Sequence, residues 1–514
     1  MKPFTRAIFQ PRRTLPPFRL LAAVVIGLLP GACAASQDAP PFPQGPLTIT
    51  DQGRHPRPPF ELDPTDAQLL DEIQRGSFRL FWDAVSPDTG MVYDRTSSDV
   101  VSVAGVGFQL AALPIGVERG WITRAEGMRR ALQILRSLEA EPSNRKAGLF
   151  YHFLEPHDAS PRRVGAELVV STIDSAVLFS GMLCAGRYFE GEVREIADRL
   201  YADADWTFFL QDPGPDAPPG EFVSLGWRPS EDAEPTGPGA LIPYSWIDSG
   251  DEHRLVTFMG IAAPNPEHRL PPQTYFNLRR QLGQHELVGE MVWFPYSGAL
   301  FTAFFAHCFM DYAHMGTDNP GELTDLPRSP VDWWENSRRI VQLHRARARE
   351  NPENLPTLGE HAWGLTACDG PDGYLVPGVY PERLDQPELE PGRDYSTYRP
   401  SPQWGGGTVA PYGAGASVMF DPEGALEALR FYRGLTRADG APLVWRDPAA
   451  GGYGFADSFN LGGPGEAPWV AADDVAIDHG PMLLGIENAR SGLLWKLFSS
   501  HPSVRAGERR LRLR

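Results

Sequence analysis

Cysteine is scarce in this chain of 514 residues: there are four, and none shows metal-site spacing. Cys33 falls in an N-terminal leader. Cys184, Cys308 and Cys368 remain, an odd number that cannot pair completely, and each sits in an apolar run where a free thiol packs as a small hydrophobe. The fold therefore does not depend on disulfides. Positive charge is also short, with 47 Lys and Arg against 65 Asp and Glu and a net charge of −18. A strongly acidic surface repels phosphate backbones, so nucleic acid is excluded as a partner, and a neutral polysaccharide fits. The apolar run at 20–29 is too short to span a bilayer as a permanent helix. Strand signals are few, with one small hairpin expected at 451–455.

What is present begins with an export signal over residues 1–34. Lys2, Arg6, Arg12, Arg13 and Arg19 precede the apolar run, and Ala32-Cys33-Ala34 supplies small residues for cleavage. Arg12-Arg13 with Thr-Leu after it is compatible with twin-arginine export. Pro30-Gly-Ala-Cys33 has the layout of a lipobox with Pro30 at the usual aliphatic position, which makes Cys33 a candidate lipidation site and membrane anchor. Residues 35–62 are rich in Pro and read as a tether. The body then spans 63–514.

Within that body nearly apolar and amphipathic helical patterns alternate. Thr65 is the expected cap of a first helix running to Val85. Patterns follow at 104–118, 123–140, 167–189, 191–210, 297–314, 330–350, 422–434 and 478–498. A helix that is apolar all round is buried, and an amphipathic one lies at a surface. The alternation predicts an all-α fold with an inner ring of helices inside an outer ring, an α/α toroid. Two long connections, 211–243 and 370–407, hold Trp227, Tyr380, Tyr398 and Trp404, with Trp246 just after the first, and aromatic residues in loops argue for an ordered, functional face. In the second, Asp369-Gly-Pro-Asp-Gly373 predicts a sharp turn that delivers Asp369 to a concave rim between Trp363 and Tyr374; the alternative is that Asp369 only caps its own turn.

Several longer stretches carry a resemblance. They are Gly148-Leu-Phe-Tyr-His-Phe153, Ser171-Thr-Ile-Asp-Ser-Ala176, Glu252 leading into Met259-Gly-Ile-Ala-Ala-Pro264, and Phe294-Pro-Tyr-Ser-Gly-Ala-Leu-Phe301. Trp363-Gly-Leu-Thr-Ala-Cys-Asp-Gly-Pro-Asp-Gly-Tyr374, Gly407-Thr-Val-Ala-Pro411, Gly452-Tyr-Gly-Phe-Ala-Asp-Ser-Phe-Asn460 and Ile477-Asp-His-Gly-Pro481 complete the set. With these the chain resembles the bacterial glucoamylase-like proteins, which include endo-β-1,2-glucanases and the transglycosylating middle domain of cyclic β-1,2-glucan synthases. The resemblance implies an (α/α)6 barrel and hydrolysis or transfer of glucan chains. It also departs from the family pattern: 226–251 is longer and richer in Pro and acids, and Ala262-Ala-Pro264 stands where Gly-Ser-Pro is usual, so substrate preference is what these changes affect.

Cleavage of a glycosidic bond needs two carboxyl groups, one protonated as the acid and one acting as base or nucleophile. Glu167 and Asp174 are expected on one face of the 167–189 helix, about 10 Å apart along its axis. The alternatives are a helix-start acid for Glu167 and a buried ion pair for Asp174. Glu252 matches the family acid at that place, and apolar surroundings would raise its pKa; its alternative is a helix N-terminal acid beside Asp251. Asp457 and Asp478 are each a second carboxylate, a sugar-hydroxyl ligand or a helix cap. The expected catalytic set is Glu167, Glu252 and Asp457. Asp174, Asp369, Asp478, Trp227, Trp246 and Trp404 are expected to bind sugar. No cofactor or metal is expected: His152, His307 and His479 form no ligand set, and Gly405 to Gly407 have no Walker lysine after them.

The leading reading is an exported, periplasmic hydrolase of glucan, most of all β-1,2-glucan, anchored through Cys33 or free. Alternatives are a transglycosylase or starch-type glucoamylase on the same fold, and a non-catalytic glycan-binding protein. A polysaccharide lyase would want a Tyr/His or Tyr/Arg base cluster, which a set of carboxylates fits badly.

Overall fold

Local sequence sets most helix ends. In the computed structural model, which describes residues 47–213, 220–231, 233–295, 297–384 and 403–513, α1 (Pro64–Asp83) starts with Pro64, whose missing N–H is no loss in a first turn. Its cap is Asp63, which accepts from the N–H groups of Thr65 and Asp66, so the cap lies two residues before the expected Thr65. α2 (Val103–Glu118) and α3 (Arg124–Ala140) follow, the latter opened by a Thr123/Glu126 capping box. The remaining helices are α4 (Thr172–Phe189), α5 (Gly191–Ala202), α6 (Asp251–Ala262), α7 (Gln273–Asn277), α8 (Tyr312–Met315), α9 (Trp333–Glu350), α10 (Pro411–Ser417), α11 (Pro422–Gly434), α12 (Ala476–Arg490), α13 (Leu493–Ser500) and α14 (Pro502–Arg510). The leader, including Cys33, and Tyr398 lie outside the described residues.

The expected alternation of buried and amphipathic helices is present. α2, α4, α6, α10 and α12 are buried on almost every side, whereas α1, α3, α5 and α11 each bury one stripe. The buried helices pack on one another, α2 on α4, α4 on α6, α10 on α12 and α12 back on α2. The amphipathic ones cover them, α1 on α12, α5 on α4 and α11 on α10. The α2–α4 crossing depends on glycine: a Cβ on Gly181 would lie 1.9 Å from the carbonyl oxygen of Gly107.

Four expectations need correction. The 167–189 helix begins only at Thr172, because Val170–Ser171 is a strand paired with Gly226–Pro229. The 297–314 stretch is not one helix but two short 3-10 turns, Leu300–Ala303 and Ala306–Cys308, and the single turn of α8. Its backbone is claimed by distant partners: His307 N–H donates to Asp251 (3.1 Å), His307 C=O accepts from Trp495 (2.6 Å) and Cys308 C=O from Asn488 (2.9 Å). The 478–498 helix is split into α12 and α13 at Gly492, which adopts φ +66°. Short strands are also more numerous than an all-α reading allows: many two- to four-residue pairs line the connections, among them Trp445–Arg446 with Gly454–Phe455, of which only the second strand lies in the expected 451–455. The fold is helix-rich, with these strands as trim.

The expected tether is docked where it is described. Ile49 is fully buried and pairs with the chain before α9, its N–H on Pro330 C=O and its C=O on Asp332 N–H. Arg57 holds Asp332 and Phe60 N–H reaches Ala489. Asp51, His55 and Glu335 come close enough to hold a cation, but Arg57, Arg338 and Arg339 already serve these carboxylates. Cys184, Cys308 and Cys368 are free and buried. No helix among the described residues is long and apolar enough to cross a membrane.

Candidate active site

Two neighbouring carboxyl groups at the start of α6 meet opposite fates. Asp251 is fully buried, ion-paired with Arg254 and 2.9 Å from His307 Nδ1. Burial alone would raise its pKa, but His307 and Arg254 outweigh burial and hold it below the ordinary carboxylate range. Glu252 has the reverse balance. Burial, then the charges of Asp174 and Asp251, all favour its protonated form and push it up to about 8. It keeps a proton at neutral pH, as a general acid must.

Across from α6, the entry to α4 holds three more groups. Glu167 is not on the helix as expected. It lies in a turn that bridges back to Val164, and its Oε1 is 2.6 Å from His152 Nδ1. Asp174, in the first turn of α4, accepts from Ser171 Oγ and lies 3.6 Å from His152 Nε2. So the two acids, expected in file along one helix face, clasp one imidazole. Burial would lower the pKa of His152, but Asp174 and Glu167 reverse this and raise it to about 9. Its ring stacks on Phe153 at 3.8 Å. Trp246 joins this corner to α6: its Nε1 donates to Thr172 Oγ1 (2.8 Å) and its ring meets His253 edge-on at 4.6 Å.

The second group gathers around the Asp369 turn. Cys368–Gly370 and Gly373–Leu375 form the expected tight hairpin, with Asp369 opposite Tyr374. Asp369 does not merely cap its turn: both its oxygens accept from Arg95 Nη1, at 2.9 and 3.1 Å. Below it, Asp457 Oδ2 accepts the Asp369 N–H at 2.8 Å, and the Asp457 carboxyl also hydrogen-bonds to that of Asp478. Burial raises Asp457 to about 6. Asp478, in the first turn of α12, is raised well above the ordinary range by burial and by the Asp457 charge, so the two titrate as a pair that holds one proton in common. Asp94 links both groups, since it sits 3.3 Å from Arg95 and its charge also acts on His152 and Tyr374.

The tryptophans fare less well. Trp227 is 2 % exposed in its strand beneath Lys146, so it is a packing residue and not a sugar platform. Trp246 and Trp404 are each 8 % exposed; Trp246 braces the site corner, and Trp404 leads into Gly405–Gly407. Trp363 is fully buried. Two partners of these carboxylates were not singled out by the sequence reading, His152 and Arg95. His152 stands between Tyr151 and Phe153 in a motif stretch, and Arg95 follows Asp94 in a loop, with no local spacing that marks either.

Comparison with known proteins places the chain in a family. Residues 243–502 match the family Glycoamylase, described as putative glucoamylase. An exo β-1,2-glucooligosaccharide sophorohydrolase (non-reducing end) of Parabacteroides distasonis is 28 % identical over 480 residues, covering 86 % of this chain; the chain spans 57 % of that relative's length. The crystal structure of a putative glucoamylase from Bacteroides uniformis superposes with a TM-score of 0.66 at 26 % identity, covering 88 % of this chain and 98 % of that one. A β-1,2-glucanase from Parabacteroides distasonis also gives 0.66, at 25 % identity, covering 87 % and 60 % of the respective chains.

Proposed function

This chain belongs to the Glycoamylase family, and from that premise we propose that it is a glycoside hydrolase cleaving β-1,2-linked glucan on an (α/α)6 toroid. The observation that carries the reading is Glu252, a half-buried carboxyl group whose desolvation and acidic neighbours Asp174 and Asp251 favour its protonated form up to about pH 8. Its proton goes to the glycosidic oxygen as that bond to the anomeric carbon breaks. The attacking water gives its own proton to Asp457, the ionised member of the Asp457–Asp478 pair. Glu167 and Asp174 stay with His152, and Arg95 with Asp369 offers donors and acceptors to sugar hydroxyls. The named activities of the Parabacteroides relatives support the β-1,2 linkage. The basic and apolar leader with Cys33 supports export to the periplasm and a lipid anchor.

Two measurements test this. The purified protein is incubated with linear β-1,2-glucan, cyclic β-1,2-glucan, β-1,3-glucan and soluble starch, and products are separated by chromatography. Short oligosaccharides from the β-1,2 substrates are expected; release from starch alone, or from none, would overturn the reading. The pH profile on the active substrate is expected to be a bell. It falls below about 6 as the Asp457–Asp478 pair takes up its second proton, and above about 8 as Glu252 loses its own.

A further inference from the structure

We propose that Asp474 is a positioning residue for the Asp457–Asp478 pair: a buried aspartate that fixes the pair and Arg95 relative to one another without meeting substrate itself. The inference deepens the hydrolase reading and rests on that pair supplying its base.

Three separate pieces of chain bear on these groups, and Asp474 touches each of them. The first is 94–96. Asp474 N–H donates to Thr96 Oγ1 at 3.1 Å, its C=O accepts from Thr96 N–H at 3.1 Å, and Ala476 N–H donates to Asp94 C=O at 2.9 Å. Arg95 is thereby seated opposite Val475, with its guanidinium on Asp369. The second is the Trp445–Arg446 strand, whose partner Gly454–Phe455 runs into Asp457. Asp474 Oδ2 accepts from Arg446 Nη1 at 2.7 Å, and the same guanidinium donates to Ala471 C=O. Ala471 N–H donates in turn to Ser458 C=O at 3.0 Å, and Ala456 N–H to Val444 C=O at 2.9 Å, so both chain neighbours of Asp457 are tied down. The third is α12. Asp474 Oδ1 lies 3.5 Å from Nε2 of His479, the residue after Asp478, and His479 Nδ1 is 3.2 Å from Ser77 Oγ of α1. Burying a carboxylate is costly, and an apolar side chain would serve packing alone at least as well. What the charge adds is direction, because it holds a guanidinium at named atoms where an apolar contact would hold it only by shape.

Substitution of the side chain leaves the backbone bonds to Thr96 in place and removes the contacts to Arg446 and His479. Asp474→Ala is therefore expected to lower kcat on β-1,2-glucan about 10- to 100-fold in a folded protein, with KM changed by less than about threefold. Asp474→Asn, which can still accept from Arg446, recovers part of that loss. Arg446→Ala lowers kcat in the same way, and the double variant is no slower than the slower single one, because both break one contact. A second readout needs no substrate. The Asp369 N–H rests on Asp457, so its hydrogen exchange is expected to quicken about tenfold or more in Asp474→Ala while the amides of α2 and α4 keep their protection. An unsubstituted protein that hydrolyses no glucan would sink the hydrolase reading alone, and exchange at Asp369 would then decide the inference. An unaltered kcat in the active protein, unaltered exchange at Asp369, or a loss of protection spread evenly over the molecule overturns it. Should Asp474→Ala fail to fold, Arg446→Ala carries both readouts.

Discussion

At the scale of single residues, environment decides chemistry more than identity does. Asp251 and Glu252 are adjacent carboxyl groups on one helical turn, yet the surroundings of one favour its ionised form and those of the other its protonated form. Glu252→Gln is expected to lower kcat by about 10²- to 10⁴-fold while leaving the fold intact. It is also expected to change stability with pH. The folded-state pKa of Glu252 is raised from 4.5 to about 8, so between these values the folded protein holds a proton that the unfolded chain has released. The stability this group contributes is full below 4.5 and is lost as pH rises through 8. A permanently neutral Gln escapes that loss. Thermal unfolding should show Glu252→Gln gaining on the unsubstituted protein between pH 5 and pH 9; a constant difference across that range would argue against a protonated Glu252.

At the scale of elements, close approach of buried helices sets the frame on which the carboxylates stand. The small residues of α2 have a definite purpose, since Gly107 faces Gly181 of α4 with no room for a methyl group between them. Gly181→Ala should destabilise the protein by about 1–3 kcal/mol, as overpacking at a backbone contact cannot be relieved by a rotamer change. Activity should fall with it, because α4 carries Asp174 in its first turn. Denaturant unfolding together with a kinetic assay would check both. The segment between α6 and α9 shows the opposite case, where aromatic-rich chain with helical periodicity breaks into short turns. There the Asp251, Trp495 and Asn488 side chains take backbone groups that a continuous helix would use itself.

At the scale of the whole molecule, the chain before α1 belongs to the packed structure. Ile49 is buried against the start of α9, Arg57 pairs with Asp332, and Phe60 bonds to α12. A tether would tolerate substitution there. Ile49→Ala is expected instead to cost about 2–5 kcal/mol, typical of a deleted buried aliphatic side chain. An unchanged midpoint in denaturant would restore the tether reading for this segment.

The sequence by itself determined the helical character, the sorting of helices into buried and amphipathic sets and the tight Asp369 hairpin. All of these are written in short-range pattern: periodicity, turn residues and composition within one or two turns of helix. Tertiary structure alone decided what the acids do. Only folding brings His152 between Glu167 and Asp174, Arg95 onto Asp369 more than two hundred residues away, and Asp457 beneath the Asp369 N–H. It also buried Trp227 under Lys146 and docked Ile49. Proton affinity depends on desolvation and on charges a few ångströms away, and those neighbours come from distant parts of the chain.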